Sequence, residues 1–219
     1  MNILRGSTHF QLGLDKVEQV QTLFEKNPEM IGVSFVGRSN VGKSSLINSL
    51  FGKKTAKTSK TPGRTREINV FSFETENLLE EKEISPFFLF DLPGYGHAEV
   101  SKEMQKNWQE LMNCFFSLLP PSISIINIQD ARHPDQKSDQ QFHQFLKNSQ
   151  QHTVLAFNKI DKFKKQKEKA ALNKKKKELF EKYIWVKQIH FVSAENHSGL
   201  SQLEQAILNF CLENYLQSK

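Results

Sequence analysis

The chain of 219 residues carries 30 Lys and Arg against 24 Asp and Glu, a formal net charge of +6, with 37% hydrophobic and 11% aromatic residues. These proportions exclude disorder as the main state, and the length accommodates one full globular domain with an ample core, much of it to be supplied by 18 Phe. Cys114 and Cys211 lie far apart with no CxxC pair or Cys/His cluster, which excludes a zinc or disulfide framework and reads as two buried thiols in a reducing compartment. No apolar run approaches a signal peptide or a membrane span, so no span is expected and the cytoplasm is the expected location.

Leu14, Val17, Val20 and Phe24 recur at helical spacing and predict an amphipathic helix over Leu12–Phe24, ended by Asn27-Pro28. Residues 1–30 thus read as an N-terminal extension with this helix, ahead of a single domain at 31–219. Ile31–Val36 is a short β-prone run, and Lys43–Phe51 a helix stopped by Gly52. Between them Gly37, Arg38, Ser39, Asn40, Val41, Gly42, Lys43 and Ser44 fit G-x-x-x-x-G-K-[ST] in the strand-loop-helix setting that a phosphate-binding loop requires. Its glycines let successive N–H groups turn inward on phosphates, and the following helix adds the positive end of its dipole. Lys43 is placed to bridge the β- and γ-phosphates and the Ser44 hydroxyl to ligate Mg2+.

Lys53–Arg66 is polar and without apolar period, hence a loop, in which Thr55, Thr58, Thr61 and Thr65 are each able to reach Mg2+. Glu67–Phe73 alternates as a half-buried strand would, and Glu74–Glu83 reads as an acidic turn. Phe87–Phe90 is a buried strand ending in Asp91, Leu92, Pro93 and Gly94, where the carboxylate can serve Mg2+ through water and Gly94 can offer an N–H to the γ-phosphate. A helix then runs to Leu119, followed by a strand at Ile123–Ile128, a helix near Asp135–Asn148 and a strand at Thr153–Phe157.

Asn158, Lys159, Ile160 and Asp161 follow that strand, at the carboxyl edge where open α/β sheets bind ligands. Asp161 can accept two hydrogen bonds from N1–H and the exocyclic amine of guanine, a donor pair that adenine lacks, so an ATP-using enzyme is disfavoured. Asn158 would hold loop and base while the Lys159 stem covers the ring plane. Lys162 to Lys177 contains nine lysines and one glutamate, a net +8, which leaves 21 basic and 23 acidic residues elsewhere, a net −2. This basic helix extends to about Tyr183, with Leu172, Leu179, Phe180 and Tyr183 as an apolar stripe. Lys164, Lys165, Lys167, Lys169 and Lys174 to Lys177 then face outward, either merely solvated or neutralising RNA phosphates without sequence readout. Strand Ile189–Val192 leads into Ser193-Ala194-Glu195, able to offer a backbone N–H to guanine O6, and a helix over Ser201–Tyr215 ends the pattern. Strands alternating with helices predict an α/β fold of three layers, a mainly parallel sheet with helices on both faces. His97, His133 and His143 make no metal or triad spacing and read as surface or loop residues.

The ordered set GRSNVGKSS, PGRT, DLPGYG, NKID and FVSA resembles the translation-factor-related small GTPases, and within them the EngB (YihA/YsxC) family. Ser59 to Thr65, Asp91 to Gly96 and Asp130-Ala131-Arg132-His133 sharpen the match, which covers the chain from about residue 10 onward. The resemblance implies a P-loop GTPase fold and a Mg2+-dependent switch that binds GTP and GDP, acts in assembly of the large ribosomal subunit on its precursor and rRNA, and is linked to cell division and septation. It also implies that Thr65 and Ser44 hold Mg2+, and that GTP contacts extend to Ser45, to Gly63, Arg64, Arg66 and Glu67, and to Leu92, Pro93, Ile160, Val192, Ser193 and Ala194. Lys43, Thr65, Gly94 and Asn40 are the implied catalytic set, Asn40 matching the position that helps ligate K+ in potassium-stimulated GTPases. Where Ras-like enzymes place a water-orienting glutamine this chain has Tyr95, so slow intrinsic hydrolysis is expected. Where family members usually carry Thr, it has Asn158. A monomer is the default oligomeric state. A nucleotide-regulated scaffold at the division site, with incidental turnover, is the alternative of a different class.

Overall fold

The computed structural model describes residues 2–52, 54–57, 67–76, 86–95, 102–149 and 151–218. Strand β1 (His9–Leu14) and helix α1 (Val17–Lys26) precede β2 (Gly32–Gly37), α2 (Lys43–Phe51), β3 (Ile68–Phe73) and β4 (Phe87–Asp91). Then come α3 (Lys102–Leu118), β5 (Ile123–Asp130), α4 (Lys137–Ser149), β6 (Thr153–Asn158), α5 (Gln166–Lys182), β7 (Gln188–Phe191) and α6 (Leu200–Gln217). Among the described residues the strands form one sheet in the order β1-β3-β4-β2-β5-β6-β7. The neighbours from β4 to β7 pair parallel, while β3 runs antiparallel to both β1 and β4.

The continuous apolar runs of β2, β4 and β5 reflect a sheet covered on both faces. On β5, Ile126 and Ile128 turn to a cluster closed by α2 and α6, whereas Ile123 and Ile125 turn to one closed by α1, α3 and α4. Phenylalanines organise both layers: Phe35, Phe51, Phe73 and Phe87 meet in sequence at 4.9 to 5.8 Å between centroids, and Phe24, Phe90 and Phe115 form a triangle opposite. A third, smaller cluster joins Leu155 and Phe157 of β6 to Leu179 of α5 and to Tyr183 just past its end.

Several expectations need correcting. Leu12 to Leu14 are not helical: they belong to β1, where Leu12 and Leu14 pair with Val70 and Ile68. Phe10, Leu12 and Leu14 also recur with period two, and the open edge of β3 decides between the two periods. Helix α1 starts only at Val17, where the Gln19 side chain accepts hydrogen bonds from the Asp15 and Lys16 N–H groups. Leu14, Val20 and Phe24, from the segment read as an extension, lie in one cluster with Phe90 and Phe115. Ile3 is buried too, its N–H donating to Glu204 Oε1 on α6 at 2.8 Å. Strand β3 is more buried than a half-exposed strand, because helices cover both its faces. Cys211 is fully buried, and burial pushes its thiol well up, but Cys114 on α3 is only half-buried, its thiol facing Val17 O at 3.9 Å. No helix among the described residues is long and apolar enough to cross a membrane.

Candidate functional site: a phosphate loop and a base-reading rim

Every candidate element leaves the sheet at the same edge. The carboxyl ends of β2, β4, β5, β6 and β7 deliver Gly37, Asp91, Asp130, Asn158 and the Val192–Ser193 turn respectively. After β2 the chain turns through Asn40 at φ +64° and Gly42 at φ +90° before α2 begins with a Leu46 N–H to Gly42 O bond of 2.9 Å. A side chain at Gly42 would meet Asn158 Nδ2 at 2.5 Å, so both its left-handed backbone and its crowding demand glycine. The Asn40 side chain is exposed at the crown of the loop.

At the phosphate end Lys43 Nζ forms an ion pair with Asp91, both side chains nearly buried. Ser44 is half-buried one residue on, at the first turn of α2. A carboxylate and a hydroxyl are hard oxygen donors of the kind Mg2+ takes: Asp91 ends β4 against Lys43 and Ser44 follows Lys43 in α2, so the chemistry of the described donors fits that ion beside phosphates. Gly94 packs against the loop, a Cβ there lying 3.0 Å from Ser39 Oγ, and Arg38 and Tyr95 are bridged by Tyr95 N–H to Gly37 O and Ser39 N–H to Tyr95 O, each 3.2 Å. Gly63, Arg64, Thr65 and Arg66, like Thr58, Thr61 and His97, lie outside the described residues. Glu67 is exposed just before β3, while Leu92 and Pro93 extend β4 beneath the loop.

The end around Asn158 and Asp161, expected to read the base, is held together by side chains. Asn158 Nδ2 donates to Val41 O at 3.0 Å, while its Oδ1 accepts from Ala194 N–H at 3.1 Å, so one buried amide ties the phosphate loop to the turn after β7. Asp161 accepts from Ser193 Oγ at 2.7 Å and pairs with Lys162 Nζ at 3.0 Å. Partial burial works to raise the Asp161 carboxyl pKa, but the serine hydroxyl and the ammonium outweigh it and hold the group ionised. Ile160 N–H bonds Val192 O, which fixes the short turn carrying Asp161 to β7. Lys159, at φ +70°, stretches its ammonium to Asn40 O and to Asp130 Oδ2 at 3.1 Å, so its stem crosses above the loop.

Three residues escaped sequence reasoning as site components. Asp130 holds Lys159 and Arg132 together, and although burial opposes it, these two cations bring its pKa down to about 2. Asp139, fully buried in the first turn of α4, receives Arg38 Nε at 2.9 and 3.0 Å and the Tyr95 hydroxyl at 2.9 Å. Asn127 of β5 donates through Nδ2 to the same hydroxyl at 3.1 Å and accepts through Oδ1 from His143 Nε2 at 3.0 Å. The Arg38 guanidinium therefore faces α4 rather than the crown of the loop. His143 is buried rather than superficial, in contrast to the sequence expectation, because α4 turns it inward onto the polar floor of Asn127 and Gln129. His133, in the turn ahead of α4, is exposed and gives its carbonyl to Arg38. Only the DARH fragment could have flagged Asp130; nothing in the periodicity marks Asp139 or Asn127.

A family model described as "50S ribosome-binding GTPase" matches residues 32–159. The "Probable GTP-binding protein EngB" of Prosthecochloris aestuarii is 39% identical over 189 residues, 86% of this chain and 87% of that one. The protein of the same description from Kosmotoga olearia is 35% identical over 200 residues, 89% and 98% of the two chains. The chain belongs to the EngB family of GTP-binding proteins. As an EngB-family P-loop GTPase it binds GTP and hydrolyses it, and the three-layer fold agrees with solved structures. A crystal structure of a probable GTP-binding protein engB superposes with TM-score 0.60 at 27% identity, covering 83% of this chain and 99% of that one. Era in complex with MgGDPNP and nucleotides 1506–1542 of 16S ribosomal RNA superposes with TM-score 0.65 at 26% identity, covering 83% and 57%.

Proposed function

We propose that this EngB-family protein is a GTP-driven switch in assembly of the large ribosomal subunit, engaging a precursor particle in its GTP form and leaving it after hydrolysis. The observation that carries this reading is the match to a family model described as a 50S ribosome-binding GTPase, on a chain whose excess positive charge is concentrated in one solvent-facing helix. In this reading the loop of Gly37 to Ser45 wraps the phosphates, Lys43 leaves Asp91 for the β- and γ-phosphates, and Asp161 with Ala194 reads guanine. Ser44, Thr65 and, through water, Asp91 would hold Mg2+, which supplies charge neutralisation at the phosphates. Gly94 offers its N–H to the γ-phosphate and passes the nucleotide state to Tyr95.

The Tyr95 hydroxyl is engaged by Asp139 and Asn127 in the interior, which turns the ring away from any attacking water and supports slow intrinsic hydrolysis. Asn40, exposed at the crown, is the residue we assign to K+ stimulation. α5 supplies the rRNA contact, and the link to cell division follows from ribosome supply. The test is the multiple-turnover GTPase rate with and without large-subunit precursor particles, in K+ and in Na+. Stimulation by the particles, and a K+ advantage abolished by Asn40→Ala, are expected. An unchanged rate with particles refutes the assembly role, and equal rates in the two salts refute the assignment of Asn40.

A further inference from the structure

The sequence stripe Leu172, Leu179, Phe180, Tyr183 is not all core. Leu172, Leu179 and Tyr183 are buried, but Phe180 is 50% exposed and Ile184, one turn on, is 83% exposed. Phe180 does not lie loose on the surface. Its ring sits 6.4 Å from that of Phe191 on the edge strand β7, and Phe191 in turn stacks on the buried Phe157 at 5.1 Å and 23°. The three rings form a ladder from the core to solvent whose last rung is open. Lys176 holds its ammonium 4.7 Å from the Phe191 centroid, and Lys176 and Lys177 precede Phe180 by one helical turn. Lys175 is committed to Glu178 and Lys182 to Asp135, but Lys174 and Lys177 are exposed and, among the described residues, pair with no carboxylate.

An exposed aromatic ring, anchored from behind, with lysines one helical turn before it, is the arrangement that takes an unpaired nucleobase: the ring stacks on the base while the lysines meet the flanking phosphates. A duplex keeps its bases stacked on each other and offers no free base face, only phosphates, 2′-hydroxyls and base edges. An apolar partner helix would have to lie down among uncompensated positive charges. We propose that Phe180, backed by Phe191, is a stacking platform for one unpaired base of single-stranded RNA, with Lys174, Lys176 and Lys177 gripping the adjoining phosphates. The inference rests on the reading of α5 as an RNA-facing helix and adds the class of RNA that it selects.

The experiment measures binding of the full-length, GDP-loaded protein to a labelled adenine oligoribonucleotide of about ten residues and to an RNA duplex of equal length, over a range of salt. Phe180→Ala should weaken the single strand about tenfold, the loss of one stacked base, without changing the salt slope, and should move the duplex less than about twofold. Phe180→Trp should keep the single-strand affinity. Lys174→Glu with Lys177→Glu should weaken both RNAs and flatten both salt slopes by one to two phosphates, about 0.7 to 0.9 per contact. Unchanged GTP hydrolysis and thermal midpoint in each variant establish that the fold is intact. If Phe180→Ala binds the single strand as tightly as wild type, or loses both RNAs equally, the platform is refuted while the RNA-facing reading stands. If the lysine variant binds both RNAs unchanged, or polyglutamate outcompetes them, the RNA-facing reading falls and the platform with it.

Discussion

Ser193 sets the position of Asp161 through bonds on its far side. Its hydroxyl donates to Asp161 at 2.7 Å and accepts the N–H groups of Glu195 and Asn196 at 3.1 and 3.2 Å, so its rotamer is set from behind and Asp161 is aimed from the side. A hydrogen bond to an ionised group contributes about 1.5 to 3 kcal/mol. Ser193→Ala should therefore weaken GDP about tenfold or more in a fluorescent-nucleotide titration while keeping guanine over xanthine. Asp161→Asn should instead shift preference toward xanthosine triphosphate, because the amide presents a donor where guanine also presents one. Retained guanine selectivity in that variant would remove Asp161 from base reading. His143 makes a different prediction. Burial lowers its pKa from 6.5 to about 4, with Asp135 opposing and Lys182 adding to the shift. Between those values the unfolded chain binds a proton that the folded chain does not, so stability falls as pH drops below 6.5 and this loss levels off near 4. The whole window is worth about 3 kcal/mol. Urea unfolding at pH 7 and pH 5 should show the loss, and His143→Gln should flatten it; parallel pH profiles for the two proteins would contradict the assignment. Asp130, with a carboxyl near 2, adds a separate loss only in the more acidic range below ordinary carboxylate titration.

At the level of elements, the phosphate loop and its helix were plain in the sequence because local chemistry dictates them: Lys43–Phe51 is the observed span of α2, with Gly52 at its end. The N-terminal segment was not, because Leu12 and Leu14 satisfy both a helical and a strand period, and only a partner distant in sequence, β3, chooses between them. The same holds for α5. Its periodicity places Phe180 beside Leu179, but which side of the stripe is covered depends on how far β7 and Phe191 reach, a fact of tertiary geometry. Helix α1 allows a direct test of whether residues 1–30 are an appendage. Phe24 packs on Phe90 and Phe115 at 6.0 and 5.5 Å, so Phe24→Ala should cost about 3 to 5 kcal/mol in urea unfolding, as deletion of a central core ring does. A separable extension would lose almost nothing.

Across the whole molecule, the sequence motifs mark the ends of the candidate site but not the floor beneath it. Glycines, Lys43, Asp91, Asn158 and Asp161 carry spacing signals because a phosphate loop and a base-reading turn, if that is their role, must sit at fixed places relative to strand ends. Asn127, Gln129, Asp139 and His143 carry none, because polar residues inside a strand or helix look like surface until the opposing layer is known. That floor joins β5 to α4 and holds both Arg38 and Tyr95, so the helix is indexed by directional bonds as well as by shape complementarity. The uneven charge has a similar lesson. Its sum describes neither the near-neutral body nor the lysine helix, and the basic helix lies on the outer β6–β7 side of the sheet, with its C-terminal end at Asp135.

The Asn158 amide has a consequence for the timing of nucleotide exchange. Since one side chain grips Val41 O at one end and Ala194 N–H at the other, the phosphate cradle and the guanine rim are two arms of a single lever. In the proposed site, a partner that drew back the turn after β7 would loosen the phosphates without reaching them, and one that pressed on the loop would unseat the base. On that reading catalysed release would begin from either side, and the affinities of the two halves of the nucleotide would rise and fall together.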